Sequence, residues 1–228
     1  MSVPEADSGN LYELYVQPAL AEMIGTALFT LFVNLASAPS SARACTYSVI
    51  SGLSLYTVRT FIGKVTRGHL NPGVTISQLL VRRIDVVCTI AFVVVQFFGA
   101  FLGAVTDVLF LDYSYGTVIL LDERNTITRS QGFFLEIILY TTICLSYSYA
   151  SGAEENFMVS SCWAMVSFFS VSLTGQSANL ALSSANALVY YLFTGDPTSA
   201  AYLYLNASAT LIAVAASAAA WWSVYLIS

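Results

Sequence analysis

Two asparagines and two glutamates stand out in a chain that holds few other groups able to do chemistry. Asn71 lies in GHLNPGVT (68–75) and Asn179 in SANLALSS (177–184). Each heads an apolar segment too short to cross a bilayer, Pro72 to Val81 and Leu180 to Phe193. A helix that starts inside a membrane leaves its first N–H groups unpaired, and hydrocarbon offers them no partner. Asparagine is a favoured N-cap because its side-chain oxygen accepts such a bond; its amide NH2 is then left to face a lumen. Pro72 suits the first helical position, where its missing N–H costs nothing. Glu22 and Glu136 each stand five residues after a glutamine, Gln17 and Gln131, inside apolar runs. A carboxylate in a membrane is costly and ordinarily has a use, here as a buried holder of a loop. His69, the only histidine, reads as a brace for the approach to Asn71, since it lacks the partners a metal site needs.

Composition narrows the rest. Charged residues make up 9% of the 228 and the hydrophobic set 57%, with mean hydropathy +0.73. A soluble domain carries about 25% charge, so this chain lies in a membrane, in contact with the lipid bilayer. The net charge of −5 offers nothing for nucleic acid. Cys45, Cys88, Cys144 and Cys162 all fall in apolar stretches without a CxxC pair, and read as packing residues. The start, MSVPEADSGN, is polar and acidic, unlike the basic opening of a cleavable signal peptide. An intramembrane hydrolase would need a nucleophile beside a base, which this residue set does not supply. The chain reads as neither an enzyme nor a cofactor protein.

About 20 apolar residues cross a bilayer as a helix, and six stretches qualify: Tyr15 to Ala38, Ala44 to Ile62, Val86 to Leu111, Gly132 to Ala150, Phe157 to Leu173 and Ser199 to Ile227. Five of the eight Lys and Arg residues, Arg59, Lys64, Arg67, Arg82 and Arg83, flank or lie in the second-to-third connection. The positive-inside rule puts that connection in the cytoplasm, and an even number of spans brings both termini there. The two halves run in the same order: a span with the Gln/Glu pair, a second span, an Asn-headed short segment, a third span. An odd number of spans per half inserts the halves in opposite directions, an architecture of channels and transporters. The expected fold is therefore all-α and integral to the membrane, with six transmembrane helices and two re-entrant half-helices in an inverted repeat. One membrane domain covers 1–228, with a first repeat over 11–111 and a second over 130–228. The positive ends of two half-helices meeting from opposite sides would repel cations and orient a neutral molecule such as water.

These residues carry a resemblance. The chain resembles the aquaporins of the major intrinsic protein family. GHLNPGVT resembles the family's first Asn-Pro-Ala box with its preceding histidine, AEMIGTALF (21–29) its first-helix signature and QFFGAFLGA (96–104) its third helix. YVQPALAEMIGTALF (15–29) is most similar to the ammonia-permeable branch. The likeness is strong through residue 104 and weaker beyond. TGQSANLALSSANAL (174–188) matches the second box in spacing, with Asn179 in place, Leu180 for the proline, Ala181 kept and Leu182 for the selectivity-filter arginine.

By that resemblance the selectivity filter comprises Ser51, Ser167, Gln176 and Leu182, a ring without charge or histidine. The pore wall comprises Phe29, Leu55, Ile143 and Trp163, of which Trp163 is larger than the family's usual residue. It blocks single-file passage if it faces the lumen, or packs on a neighbouring helix or lipid if the match slips by one residue. Glu22 and Glu136 match the paired glutamates that hold the pore loops. The resemblance implies homotetramers with one pore per protomer. The expected function is a passive channel for water and small neutral solutes such as ammonia, glycerol or urea. The alternative is a structural or junctional membrane protein of the same fold with an occluded pore.

Overall fold

A computed structural model describes residues 11–36, 43–110, 127–175 and 178–225. Eight α-helices are found among them: α1 Gln17–Leu35, α2 Arg43–Ile62, α3 Pro72–Leu80, α4 Val86–Val108, α5 Arg129–Tyr149, α6 Glu155–Leu173, α7 Leu180–Thr194 and α8 Leu203–Tyr225. A π-helical turn over Tyr12–Val16 leads into α1, and 3-10 turns over Gly152–Glu154 and Pro197–Ala200 precede α6 and α8. Every expected span and both short segments are present, with ends moved by a few residues. The sixth starts later than expected, because Pro197 opens a separate 3-10 turn capped by Asp196. The ends have local causes. Asp85 caps α4 by accepting from Val87 N and Cys88 N. Thr128 and Gln131 form a reciprocal capping box at α5, and Gly195 ends α7 in the left-handed conformation at φ +73°.

The second span differs in character. Five of the described helices are long and apolar enough to cross a membrane by length and composition, and α2, at 20 residues, is not among them. Its hydroxyls and Arg59 account for this, and the fold neutralises them, Arg59 through Glu155 at 3.0 Å. Ser48, Ser51, Ser54 and Thr60 donate back to carbonyls of their own helix. Such bonds let a polar sequence stay helical inside a bundle.

The bundle is apolar outside and polar inside, the reverse of a soluble domain. Ile90, Phe134, Ile138 and Leu211 are exposed, whereas Glu22, Gln78, Gln96 and Asn206 have essentially no accessible surface. Asn206 accepts from the Tyr140 hydroxyl at 3.3 Å in the interior, far from any place a glycan could attach. Helix pairing runs in parallel sets: α1 packs on α4 as α5 packs on α8, α1 on α2 as α5 on α6, and α3 on α4 as α7 on α8. Two glycines bring α1 and α4 to backbone contact. A Cβ on Gly99 would lie 2.3 Å from the Met23 carbonyl oxygen, and one on Gly103 2.3 Å from that of Ala27.

Candidate functional site

The two short helices start at capped asparagines. Asn71 is extended (φ −154°), and its Oδ1 accepts from Gly73 N at 3.0 Å. Asn179 is also extended (φ −143°), and its Oδ1 accepts from Ala181 N at 3.1 Å and Leu182 N at 3.3 Å. The second cap therefore forms without a proline. The residue before each asparagine is left-handed, Leu70 at φ +51° and Ala178 at φ +47°. That conformation costs a non-glycine residue on the order of 1 kcal/mol or more, and a cross-lock holds both. Asn71 Nδ2 donates to the Ala178 carbonyl at 3.1 Å, and Asn179 Nδ2 to the Leu70 carbonyl at 2.8 Å. Each asparagine thus caps its own helix and fastens the bend that leads to the other. The two positive helix ends are brought together in the interior.

Glu22 holds the first loop with both oxygens. Oε1 accepts from the Thr66 hydroxyl at 2.6 Å and His69 N at 2.9 Å. Oε2 accepts from Leu70 N and from Gln96 Nε2, each at 2.8 Å. Gln96 also donates to Thr75 Oγ1 at 2.9 Å, in the second turn of α3. The His69 ring is 3.3 Å from the same hydroxyl through Nδ1 and stands edge-on to Phe92 and Tyr147. Tyr147 donates its hydroxyl to the Gly68 carbonyl at 2.9 Å. Glu136 is less committed: its Oε1 accepts from the Ser170 and Thr174 hydroxyls at 3.0 and 2.5 Å, and Oε2 has no partner among the described residues.

The wall residues converge. Phe29, Leu55, Ile143, Trp163 and Leu182 all belong to one buried cluster. Phe29 and Trp163 meet edge to face with centroids 5.3 Å apart. They come from α1 and α6, so the ring pair joins one helix of each half of the chain within the buried cluster. Trp163 is turned inward, not toward lipid, and its indole Nε1 is buried without a partner among the described residues. Ser51 and Ser167 are buried, and Ser51 directs its hydroxyl to the Ser48 carbonyl. Gln176 lies outside the described residues.

Sequence reasoning missed several members of this interior. Gln96 sits within the quoted QFFGAFLGA, and a lone amide in an apolar span is itself a signal. Asn34 and Asn186 form a reciprocal amide pair between α1 and α7, Nδ2 to Oδ1 at 2.8 and 2.9 Å. Replacing either amide by an apolar side chain breaks both bonds of the pair at once, at a cost of about 1–3 kcal/mol. Asn34→Leu and Asn186→Leu are therefore each expected to lower the thermal unfolding midpoint. The double variant should lose less than the sum of the two single losses, since the second change has no pair left to break; additive losses would argue against the pair. Arg67 and Arg59 share Glu155 at 2.9 and 3.0 Å, tying the first loop to α6 across 88 residues.

Comparison with known proteins agrees with this geometry. The model of the major intrinsic protein family matches residues 12–217. The chain is 25% identical to Aquaporin-8 of Notomys alexis over 144 residues, covering 59% of this chain and 55% of that protein. It is 23% identical to Aquaporin-4 of Mus musculus over 205 residues, covering 82% and 63%. The chain thus spans little more than half the length of the Aquaporin-8 relatives it matches. Among solved structures it is similar in fold to the aquaglyceroporin from Plasmodium falciparum, with TM-score 0.72 and 18% identity over 90% of this chain and 94% of that one. On the family match, the all-helical fold and the apolar spans, the chain is a multi-pass integral membrane protein that belongs to the major intrinsic protein family.

Proposed function

We propose that the chain is a passive channel for water and small neutral solutes, ammonia, glycerol and urea among them. The observation that carries this reading is the reciprocal lock of Asn71 and Asn179, which sets two positive helix ends against one another at one place. A cation meets repulsion there from both sides, and a neutral molecule with lone pairs is oriented. The indole N–H of Trp163 adds a buried donor in the interior where such a molecule would pass. The filter is read as Ser51, Ser167, Gln176 and Leu182, a ring with no fixed charge. Leucine in place of a cation favours weak discrimination among neutral solutes. Glu22, Glu136 and His69 brace the loops that line the path. The parallel helix pairings support two repeats, 11–111 and 130–228, inserted in opposite directions. The basic second-to-third connection supports both termini in the cytoplasm. The family supports a homotetramer with a pore in each protomer.

A second reading has its own support. The Phe29–Trp163 contact narrows the interior between two facing walls, as an occluded, structural relative of a channel would require. Osmotic shrinkage of proteoliposomes separates the two. A rate above that of protein-free vesicles is expected for a channel. A rate equal to theirs, with folded protein present, moves the chain to the occluded class.

A further inference from the structure

We propose that a groove on the basic face of the bundle binds the phosphate of an anionic lipid headgroup. The groove holds about 700 Å³ and lies between the start of α1, the approach to α3 and the α3–α4 connection. Arg67, Arg82 and Arg83 line it together with Leu14, Ile84 and Phe92. Asp85 lines it too, and its carboxylate works against an anion. That carboxylate is already engaged: the Cys88 backbone N–H, foremost, holds it below the usual carboxylate range as the cap of α4.

The positive charge around the groove is in excess. Glu155 is shared by Arg59 and Arg67. Among the described residues, neither Arg82 nor Arg83 has a carboxylate within ion-pair distance. Of the residues that line the groove, three are arginines and one is a carboxylate. Burial first, and the like charge of Arg67 second, push Arg83 below the ordinary arginine value, with Glu155 opposing them. Both free guanidiniums are held in place. Arg82 lies over the Trp222 ring, 5.5 Å from its centroid, and Arg83 over Trp221 at 4.7 Å. Arg83 Nη1 also donates to the Tyr147 carbonyl at 3.1 Å. Arg82 is left-handed, at φ +60°, where glycine would sit without strain; the chain keeps a long cation there instead.

The surroundings select a lipid as the source of the phosphate. Trp221, Trp222 and Tyr225 cluster beside these arginines, and such aromatics mark the headgroup level of a bilayer. Leu14 and Val86 are exposed and line the groove, where acyl chains would lie. Arginine offers a phosphate a planar fork of donors, and each basic residue at a membrane surface contributes about a fivefold preference for anionic lipid.

The test uses the purified full chain in a neutral detergent, with its thermal unfolding midpoint followed as lipid is added. Phosphatidylglycerol is expected to raise the midpoint, while phosphatidylcholine and inorganic phosphate at equal concentration leave it unmoved. Arg82→Gly removes the charge and relaxes the backbone. It should weaken the phosphatidylglycerol effect about fivefold, and adding Arg83→Gln should abolish it. Val86→Glu, at a surface position that spares the fold, should weaken it as well. An equal shift with phosphatidylcholine overturns the site, and an equal shift with inorganic phosphate alone overturns the lipid as its source. An undiminished phosphatidylglycerol shift in Arg82→Gly or Val86→Glu also overturns it. Solute flux is read separately, so failure here leaves the channel reading standing.

Discussion

Replacing Trp163 by alanine is expected to raise osmotic water permeability per protein severalfold, up to about tenfold. The indole meets Phe29 edge to face within the buried cluster, and an aromatic pair of this kind is worth about 0.5–1.5 kcal/mol beyond its buried area. A molecule passing between the rings must part them, and a barrier lower by about 1.4 kcal/mol is a tenfold faster rate. Phe29→Ala removes the facing ring and should act in the same direction, and Trp163→Phe should do much less. Truncating a buried tryptophan also costs packing, so each variant is compared by flux per folded protomer. Unchanged permeability in both Trp163→Ala and Phe29→Ala would show that the ring pair is not the constriction.

Glu22→Ala is expected to cost at least about 3 kcal/mol of stability. It strands three buried donors, the Thr66 hydroxyl, His69 N and Leu70 N, and takes one of two acceptors from Gln96 Nε2. Each unsatisfied group costs about 1–3 kcal/mol. Leu70 is also the left-handed residue whose carbonyl receives Asn179, so the cross-lock should loosen with it. Glu136→Ala should cost clearly less. Among the described residues two hydroxyls depend on its Oε1, and that of Thr174 already reaches the Ser170 carbonyl at 2.9 Å. Thermal unfolding in detergent reads the difference; equal losses, or a larger one for Glu136→Ala, would contradict it.

Much of this was legible because its causes are local. Asn-Pro-Gly announces a capped helix start, and a carboxylate in an apolar run announces a buried use. The second cap was harder to foresee, since the proline is gone. It forms because capping needs only the asparagine oxygen, and proline adds merely a pre-set backbone angle. Periodicity did not expose the hydroxyl-rich α2 as the least apolar span, since its hydroxyls are satisfied within the helix itself. Non-local pairings stayed hidden. Asn34 and Asn186 are 152 residues apart, and each alone is an unremarked amide. Nor could sequence choose where Trp163 points. One residue of slip turns a helical side chain by about 100°, and only the ring contact with Phe29 decides the direction.

The central claim is a neutral-solute path past the Asn71–Asn179 lock. Its most direct test is stopped-flow shrinkage of proteoliposomes carrying Trp163→Ala, with cation conductance recorded on the same protein. The account predicts water flux well above protein-free vesicles and no cation current, because the two helix ends still oppose positive charge. Flux no greater than that of protein-free vesicles, or a cation current that accompanies the water, would contradict it.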